Sequence, residues 1–308
     1  MKNSIRRNFV KSSTKSTQNH KEGMYMEESK TNLSFTMPEM ACNAHLHIID
    51  PRFPNNGKAE AQKGTVEEYR KIAAGLHLDR AVFVQAKPFG CDNACLLGAI
   101  QEFGPERSVG IAVVHSTISD PELQELHERG VRGLRFSVWN PQNAVVSFEE
   151  CLPLAQRTAD LGWNMQLHMS AAQLVERLPV IRELPGKVVI DHMGRLDPKL
   201  RTEDPAYAAL LELVERGNVW VKLSGPYLNT TQGYPWNDAS ATAKKLVQDI
   251  PERLLWGTDY PHVTEKVKPS ETFLTEMLAD WIPTDALRRK ILVENPEEVY
   301  GFAPAPSV

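Results

Sequence analysis

Two histidines near the start of the chain, His45 and His47, are separated by a single residue. They lie in a mostly apolar stretch that ends at Asp50-Pro51, a pattern typical of a strand followed by a turn. Successive side chains of a strand point to opposite faces, so both imidazoles are predicted to project from the same face. Two adjacent imidazoles can share one divalent cation or polarise a substrate carbonyl. An isolated His-x-His is more often structural, so its meaning depends on the rest of the chain.

The elements that would position these histidines are strands alternating with helix-length segments. The strands are near-continuous apolar runs, which is typical of a parallel sheet covered on both faces. About eight such units in one domain predict an α/β fold of the (β/α)₈ TIM-barrel type. A doubly wound open sheet is disfavoured because no glycine-rich phosphate loop follows the first strand. After the first run at 40–50, strands are predicted at 80–85, 108–114, 131–136, 164–168, 187–192, 218–224 and 253–259.

The first 37 residues differ from the rest of the chain. They are polar and show no apolar periodicity, so we predict a flexible tail over 1–37 and a single barrel domain over 38–308. Arg6-Arg7 resembles the start of a twin-arginine export motif, but polar residues follow where an apolar segment would be needed. The four scattered cysteines predict reduced thiols rather than a disulfide scaffold. These features favour a cytoplasmic protein.

The composition limits the classes of partner. The net charge of −4, with no basic stripe, gives no support to nucleic-acid binding. No apolar run approaches the roughly 20 residues needed to span a bilayer. A small molecule is therefore the predicted partner, and a homo-oligomer remains open.

Polar side chains recur where the predicted strands end. Because these ends converge on one pocket in a barrel, such side chains are predicted to form one site. Singly, each has a structural explanation, such as a buried core histidine or a helix cap. Their recurrence at six or more strand ends, against apolar strand bodies, predicts an active site. The residues are His45 and His47, Gln85 and Lys87, Arg135, His168, Asp191 and His192, Lys222 and Ser224, and Asp259 with Tyr260 and His262.

This joint pattern resembles the amidohydrolase superfamily, and within it the branch that contains 2-pyrone-4,6-dicarboxylate lactonase and related sugar-lactone enzymes. The resemblance runs from about residue 40 to residue 302. It rests on His45-Leu-His47, Gly130-Val-Arg-Gly-Leu-Arg-Phe136, Val189-Ile-Asp-His-Met-Gly-Arg195, Val221-Lys-Leu-Ser-Gly225, Trp256-Gly-Thr-Asp-Tyr-Pro-His262 and Glu294-Asn-Pro296.

The resemblance implies a barrel that hydrolyses carboxylated lactones. By this likeness Asp259 is the general base that activates water, and His192 lies beside the carbonyl together with the two histidines of the first strand. Arg135 is implied to hold a substrate carboxylate.

The chain departs from the pyrone lactonase at two places. His168 stands where that enzyme has a tyrosine, and the substrate-binding arginine after strand seven is missing from Gly225-Pro226-Tyr227. The first departure restores the ligand set with which metal-bearing superfamily members hold zinc. We therefore predict one divalent metal, zinc, held by His45, His47, His168 and Asp259, with a metal-free mechanism as the alternative.

The sequence thus predicts a hydrolase that opens the lactone ring of a small anionic, carboxylated metabolite. Asp259 and His192 are the predicted catalytic residues. A metal-dependent decarboxylase of a small unsaturated carboxylic acid is the alternative enzyme, and a barrel without catalysis is a third hypothesis. The predicted substrate-binding residues are Arg135, Lys87, Gln85, Lys222, Ser224, Tyr260 and His262.

Overall fold

The computed structural model describes residues 33–57 and 59–305. Eight parallel strands form one sheet in which each strand pairs with the next along the chain. This confirms the predicted (β/α)₈ barrel. The strands are β1 (Cys42–Leu46), β2 (Arg80–Val84), β3 (Ser108–Ala112), β4 (Val131–Ser137), β5 (Asn164–His168), β6 (Lys187–Ile190), β7 (Val219–Leu223) and β8 (Leu254–Trp256).

Helices connect the strands and cover the outside of the sheet. Several begin at a capping box, in which a Ser or Thr side chain and a Glu or Gln three residues later satisfy the first free N–H groups, as at Thr65 and Glu68. No described helix is long and apolar enough to cross a membrane. The helices are α1 (Val66–Leu76), α2 (Ala94–Phe103), α3 (Asp120–Glu128), α4 (Cys151–Thr158), α5 (Ala171–Glu183), α6 (Pro205–Glu215), α7 (Asn237–Asp249), α8 (Glu271–Trp281), α9 (Asp285–Arg289), a π-helical segment (Lys290–Glu294) and α10 (Asn295–Tyr300).

The barrel closes where the chain after β8 lies against β1. The N–H of Asp259 donates to the carbonyl of His45 at 2.8 Å, and the side chain of Asn43 bonds both the N–H and the hydroxyl of Thr258. Gly257 permits this approach, because a Cβ at that position would lie 2.4 Å from the backbone nitrogen of His45. The closure therefore brings Asp259 directly beside the histidines of β1.

The side chains that face the inside of the barrel change from apolar to polar along each strand. Trp220 of β7 and Val189 of β6 belong to an apolar cluster inside the barrel. Two residues further along the same rows come Lys222 and Asp191, both fully buried. The barrel interior is thus apolar at one end and carries buried polar groups at the carboxyl ends of the strands.

The start of the described chain packs against the barrel. The ring of Phe35 lies 4.5 Å from the guanidinium carbon of Arg288, Ser34 donates to Glu276 at 2.9 Å, and Met37 is buried. The last described residues of the predicted 1–37 tail, including apolar Phe35 and Met37, thus contact the barrel. Residues 1–32 of that prediction lie outside the described residues.

Candidate active site

Asp259 lies between His45 of β1 and His47, which directly follows that strand. Its Oδ1 is 3.5 Å from Nε2 of His45 and 3.4 Å from Nε2 of His47. The two imidazole rings are 5.2 Å apart, as predicted for side chains on one face of a strand. Asp259 itself has a positive φ of 67°, a conformation that aims its side chain back toward β1.

The protonation of His47 is set by the backbone. Its Nδ1 lies 2.8 Å from the carbonyl oxygen of Val84, which can only accept a hydrogen bond, so Nδ1 carries the proton. In the neutral ring Nε2 then presents a lone pair to the Asp259 carboxylate. Two acceptors at 3.4 Å repel each other unless a positive charge lies between them. The pair fits either a bound cation or a protonated His47.

Beneath His45 lies a buried ionic cluster around Asp191. Arg135 donates from Nε to Asp191 Oδ2 at 3.2 Å, and Gln166 donates to the same oxygen at 3.1 Å. Lys222 donates to Gln166 at 2.7 Å and lies 3.7 Å from Asp191 Oδ1. Nδ1 of His45 lies 3.2 Å from that same oxygen. With its Nδ1 proton directed to Asp191, His45 presents the lone pair of Nε2 toward Asp259.

Two further histidines, His192 and His168, extend the group of imidazoles at this end of the barrel. The ring of His192 is 4.8 Å from that of His45 and 5.0 Å from that of His168. Ser224 contacts Nδ1 of His192 and Ser137 contacts Nδ1 of His168, each at 2.9 Å. The Nε2 atoms of His45 and His168 are buried without a hydrogen-bond partner within the described chain. Such nitrogens are suited to a ligand.

Burial controls the charge of these groups. It lowers the pKa of His192 to about 4 and the pKa of His45 and His168 well below the usual histidine range, so these imidazoles are neutral at pH 7. Burial alone would raise the pKa of Asp259, but the positive charge that the imidazoles facing it take up in acid, His192 above all, holds that pKa well below its usual range. The site therefore combines an ionised carboxylate with neutral imidazoles, as a general base and its electrophilic partners require.

Among the residues that the structure describes, two groups of side chains have the spacing of a metal site. In each, the potential ligand atoms lie within 4.8 Å of one another; one is His45, His47 and Asp259, and the other is His45, Asp191 and His192. The second group is already engaged by the cations Arg135 and Lys222, which would repel a metal ion. The first group fits a divalent ion. His168, the predicted fourth ligand, belongs to neither group.

Several predicted substrate-binding residues contact protein groups instead. Gln85 donates to the carbonyls of Gly90 and Asp92, so its amide fixes the loop after β2. Lys222 and Ser224 are buried beneath the histidines. Tyr260 packs on Tyr69 with rings 5.6 Å apart, and His262 bonds to the side chains of Tyr227 and Glu271. Lys87 is exposed on the loop that follows β2. Arg135 does point into the barrel, as predicted.

Other residues of the site are absent from the predicted set. Gln166 lies on the inward row of β5, a signal that the strand pattern contained, and donates to Asp191, which was predicted. Tyr227 donates to Asp259 Oδ2 at 2.7 Å from the loop after β7, where no periodicity marks it. Arg195 follows β6, and its guanidinium carbon lies 4.8 Å from the ring centre of Trp139.

The comparison with known proteins agrees with this geometry. A family model described as an amidohydrolase matches residues 42–302. The chain belongs to the amidohydrolase family. This confirms the predicted superfamily and the prediction of an enzyme.

Individual relatives match over most of their length. The chain is 33% identical over 280 residues to a 2-pyrone-4,6-dicarboxylate hydrolase of Comamonas testosteroni, covering 86% of this chain and 92% of that protein. It is 27% identical over 274 residues to a D-galactarolactone isomerase of Agrobacterium fabrum, covering 87% and 93%. An apo crystal structure from Agrobacterium tumefaciens superposes with a TM-score of 0.80 at 28% identity, covering 87% of this chain and 98% of that one.

Proposed function

We propose that this amidohydrolase opens the lactone ring of a small carboxylated metabolite by attack of an activated water. The prediction of a lactonase is confirmed by a relative named as a hydrolase of a pyrone, which is a cyclic ester. A second relative, named as an isomerase, also acts on a lactone, galactarolactone. The exact substrate of this chain remains a proposal.

The observation that carries the mechanism is the position of Asp259. Its ionised Oδ1 faces two imidazole nitrogens at 3.4–3.5 Å, at the end of the barrel where inward polar groups converge. A carboxylate there can take a proton from attacking water and return it to the leaving ring oxygen. His192 is neutral at pH 7, and in the tautomer in which Nδ1 accepts from Ser224 its Nε2 carries the proton and can donate to the carbonyl oxygen.

Arg135 orients the substrate in this proposal. Its Nε is fixed by Asp191, and this is the hydrogen bond that the guanidinium makes to the described chain. The terminal nitrogens of the guanidinium therefore remain for a substrate carboxylate, which they can bind through two parallel hydrogen bonds. The positive charge of Arg195 at the same end of the barrel favours an anionic substrate.

His45, His47 and Asp259 are the residues that would hold a divalent metal, and zinc is the ion that we propose. Three protein ligands with an open position are typical of catalytic zinc sites. When bound, such an ion supplies a Lewis acid for the carbonyl and lowers the pKa of an attacking water. We assign the unpartnered Nε2 of His168 to the substrate, because His168 lies outside the ligand group.

The test is the mass of the product formed from a panel of carboxylated lactones. Hydrolysis adds one water to the substrate, isomerisation leaves the mass unchanged, and decarboxylation removes carbon dioxide. The proposal requires a gain of one water, with ¹⁸O entering the new carboxylate from labelled solvent. A product of unchanged mass would favour an isomerase, and release of carbon dioxide would favour the decarboxylase.

We also propose a cytoplasmic enzyme with a small anionic lactone as its partner. All four cysteines, Cys42, Cys91, Cys95 and Cys151, are free, which supports a reducing compartment. Localisation of a tagged full-length chain by cell fractionation tests this assignment.

A further inference from the structure

A chain of buried side chains leads from the proposed general base to the start of helix α8. Tyr227 Oη lies 2.7 Å from Asp259 Oδ2 and 3.0 Å from Nδ1 of His262. Nε2 of His262 lies 2.5 Å from Oε1 of Glu271. Tyr227 and His262 are buried, and the Glu271 side chain is only 12% exposed. The contacts come from three different segments, so no local sequence constraint produces them.

We propose that Tyr227, His262 and Glu271 are positioning residues that orient the carboxylate of Asp259, and this inference rests on the proposed function. Tyr227 binds Oδ2, which leaves Oδ1 directed at the histidines of β1. Glu271 is separated from Asp259 by two side chains, so it acts on the base only through them.

Counting protons fixes the direction of this chain of hydrogen bonds. An ionised Asp259 can only accept, so the single hydroxyl proton of Tyr227 goes to Oδ2. The Tyr227 oxygen must then accept from His262, which requires a proton on Nδ1. Nε2 must carry a proton as well, because the Glu271 carboxylate that it faces can only accept, so both ring nitrogens of His262 donate in this arrangement. Were the hydroxyl directed at His262 instead, the carboxylate would face an oxygen lone pair at 2.7 Å.

Glu271 holds His262 in this arrangement. It is the first residue of α8, where the free N–H groups of the helix favour a negative charge. Its Oε2 is buried without a partner in the described chain, so its contact with His262 is the side-chain hydrogen bond that stabilises it. Lys268 donates to the backbone carbonyl of His262 and fixes the loop from the other side.

The kinetic test compares Tyr227→Phe, Glu271→Met, Glu271→Gln and the double variant Tyr227→Phe/Glu271→Met. We expect Tyr227→Phe to lower kcat by about 10–100-fold with little change in KM. Glu271→Met should lower kcat by about threefold to tenfold, and Glu271→Gln, which still accepts a hydrogen bond, should restore part of the loss. In the double variant Glu271→Met should not lower kcat further, because Tyr227→Phe has already removed the hydrogen bond through which Glu271 acts on Asp259.

Two control variants remove other side-chain hydroxyl contacts, one part-buried contact outside the site and one within α8 that leaves the Glu271 carboxylate in place. Tyr207→Phe deletes a hydroxyl that contacts Asp249 at 2.5 Å, and Thr275→Val deletes a hydroxyl that bonds the backbone carbonyl of Glu271. Both should retain wild-type kcat. The proposal is overturned if Tyr227→Phe turns over normally, or if the losses from Tyr227 and Glu271 multiply in the double variant.

A second measurement does not depend on the reaction. Nitrogen-15 NMR of the imidazoles, with His262 assigned from His262→Gln, reports which ring nitrogen carries a proton. We expect Nδ1 of His262 to be protonated in the wild type; an unprotonated Nδ1 would contradict the positioning role. If the wild type hydrolyses no lactone, the proposed function fails, while this spectrum still decides the arrangement of the three side chains.

Discussion

The Oδ1 atom of Asp259 lies 3.4 Å from Nε2 of His47, and the carbonyl of Val84 keeps the other nitrogen of that ring protonated. In the neutral imidazole, the lone pair of His47 Nε2 therefore faces the carboxylate of Asp259 in a buried site. A positive charge between them, or a proton on the imidazole, removes the repulsion. This relationship connects the closure of the barrel with the chemistry that we propose.

The first prediction concerns metal binding. Protein purified without chelator should contain about one zinc per chain, measured by elemental mass spectrometry. His47→Ala should lose most of this metal, because it removes one of three closely spaced ligands. His168→Ala should retain it, because His168 lies outside that group. Loss of zinc from both variants would show that His168 is a zinc ligand. Wild-type protein that is active without any metal would contradict the zinc site.

The second prediction concerns the substrate carboxylate. Arg135→Met should cost about 2–4 kcal/mol of transition-state stabilisation, read from kcat/KM, because a desolvated bidentate contact is lost. Arg132 lies on the same strand but bonds the carbonyls of His127 and Val131, so Arg132→Met is the matched control and should stay active. The loss should shrink for a lactone that lacks the carboxylate. An equal loss on both substrates would make Arg135 structural.

The third prediction concerns acid stability. Burial lowers the pKa of His192 to about 4. As the pH falls below about 6.5, His192 therefore takes up a proton more readily in the unfolded chain than in the folded chain. The stabilisation is complete above the unfolded pKa of about 6.5 and is lost as the pH falls toward 4. Between pH 7.5 and pH 5 this single group should lower the free energy of unfolding by about 2 kcal/mol. Urea denaturation of chelated protein measures this change, and His192→Asn should have a correspondingly weaker pH dependence. An unchanged dependence would show that His192 is not buried in its neutral form.

The fourth prediction concerns the closure of the barrel, where the chain after β8 lies against β1; we call this contact the seam. Gly257→Ala would place a Cβ 2.4 Å from the backbone nitrogen of His45, so β1 and the chain after β8 must separate. We expect a loss of at least about 2 kcal/mol in the free energy of unfolding, together with low activity. Gly75→Ala, in α1 with no atom near the new Cβ, should instead stabilise the protein by about 0.5–1 kcal/mol. Thermal denaturation of both variants tests the contrast, and a Gly257→Ala variant as stable as the wild type would contradict the tight seam.

The barrel and the centre of its site could be predicted because they follow from periodicity. Near-continuous apolar strands indicate a parallel sheet, and the ends of its strands meet, which brings His45, His47 and Asp259 together. The same rule selected Lys222 and Ser224 correctly as inward residues. It could not show that Lys222 bonds to Gln166 and Ser224 to His192, because parity along a strand gives direction and not the contacting atom.

The surroundings of Asp259 could not be predicted for a different reason. Tyr227 lies in a short 3₁₀ turn after β7, and Glu271 lies at the start of a helix about 44 residues further along the chain. Their approach to His262 depends on how the loops fold over the barrel end. Neither apolar periodicity nor a spacing rule records such a contact.

The turnover number of Asp259→Asn on the lactone that the wild type hydrolyses tests the central claim most directly. The amide keeps the size of the side chain but cannot take a proton from water. We expect kcat to fall by at least about a hundredfold, within the range typical of a general base, while the melting temperature changes little. A variant that folds and turns over at a near-normal rate would remove Asp259 from the mechanism and contradict the account.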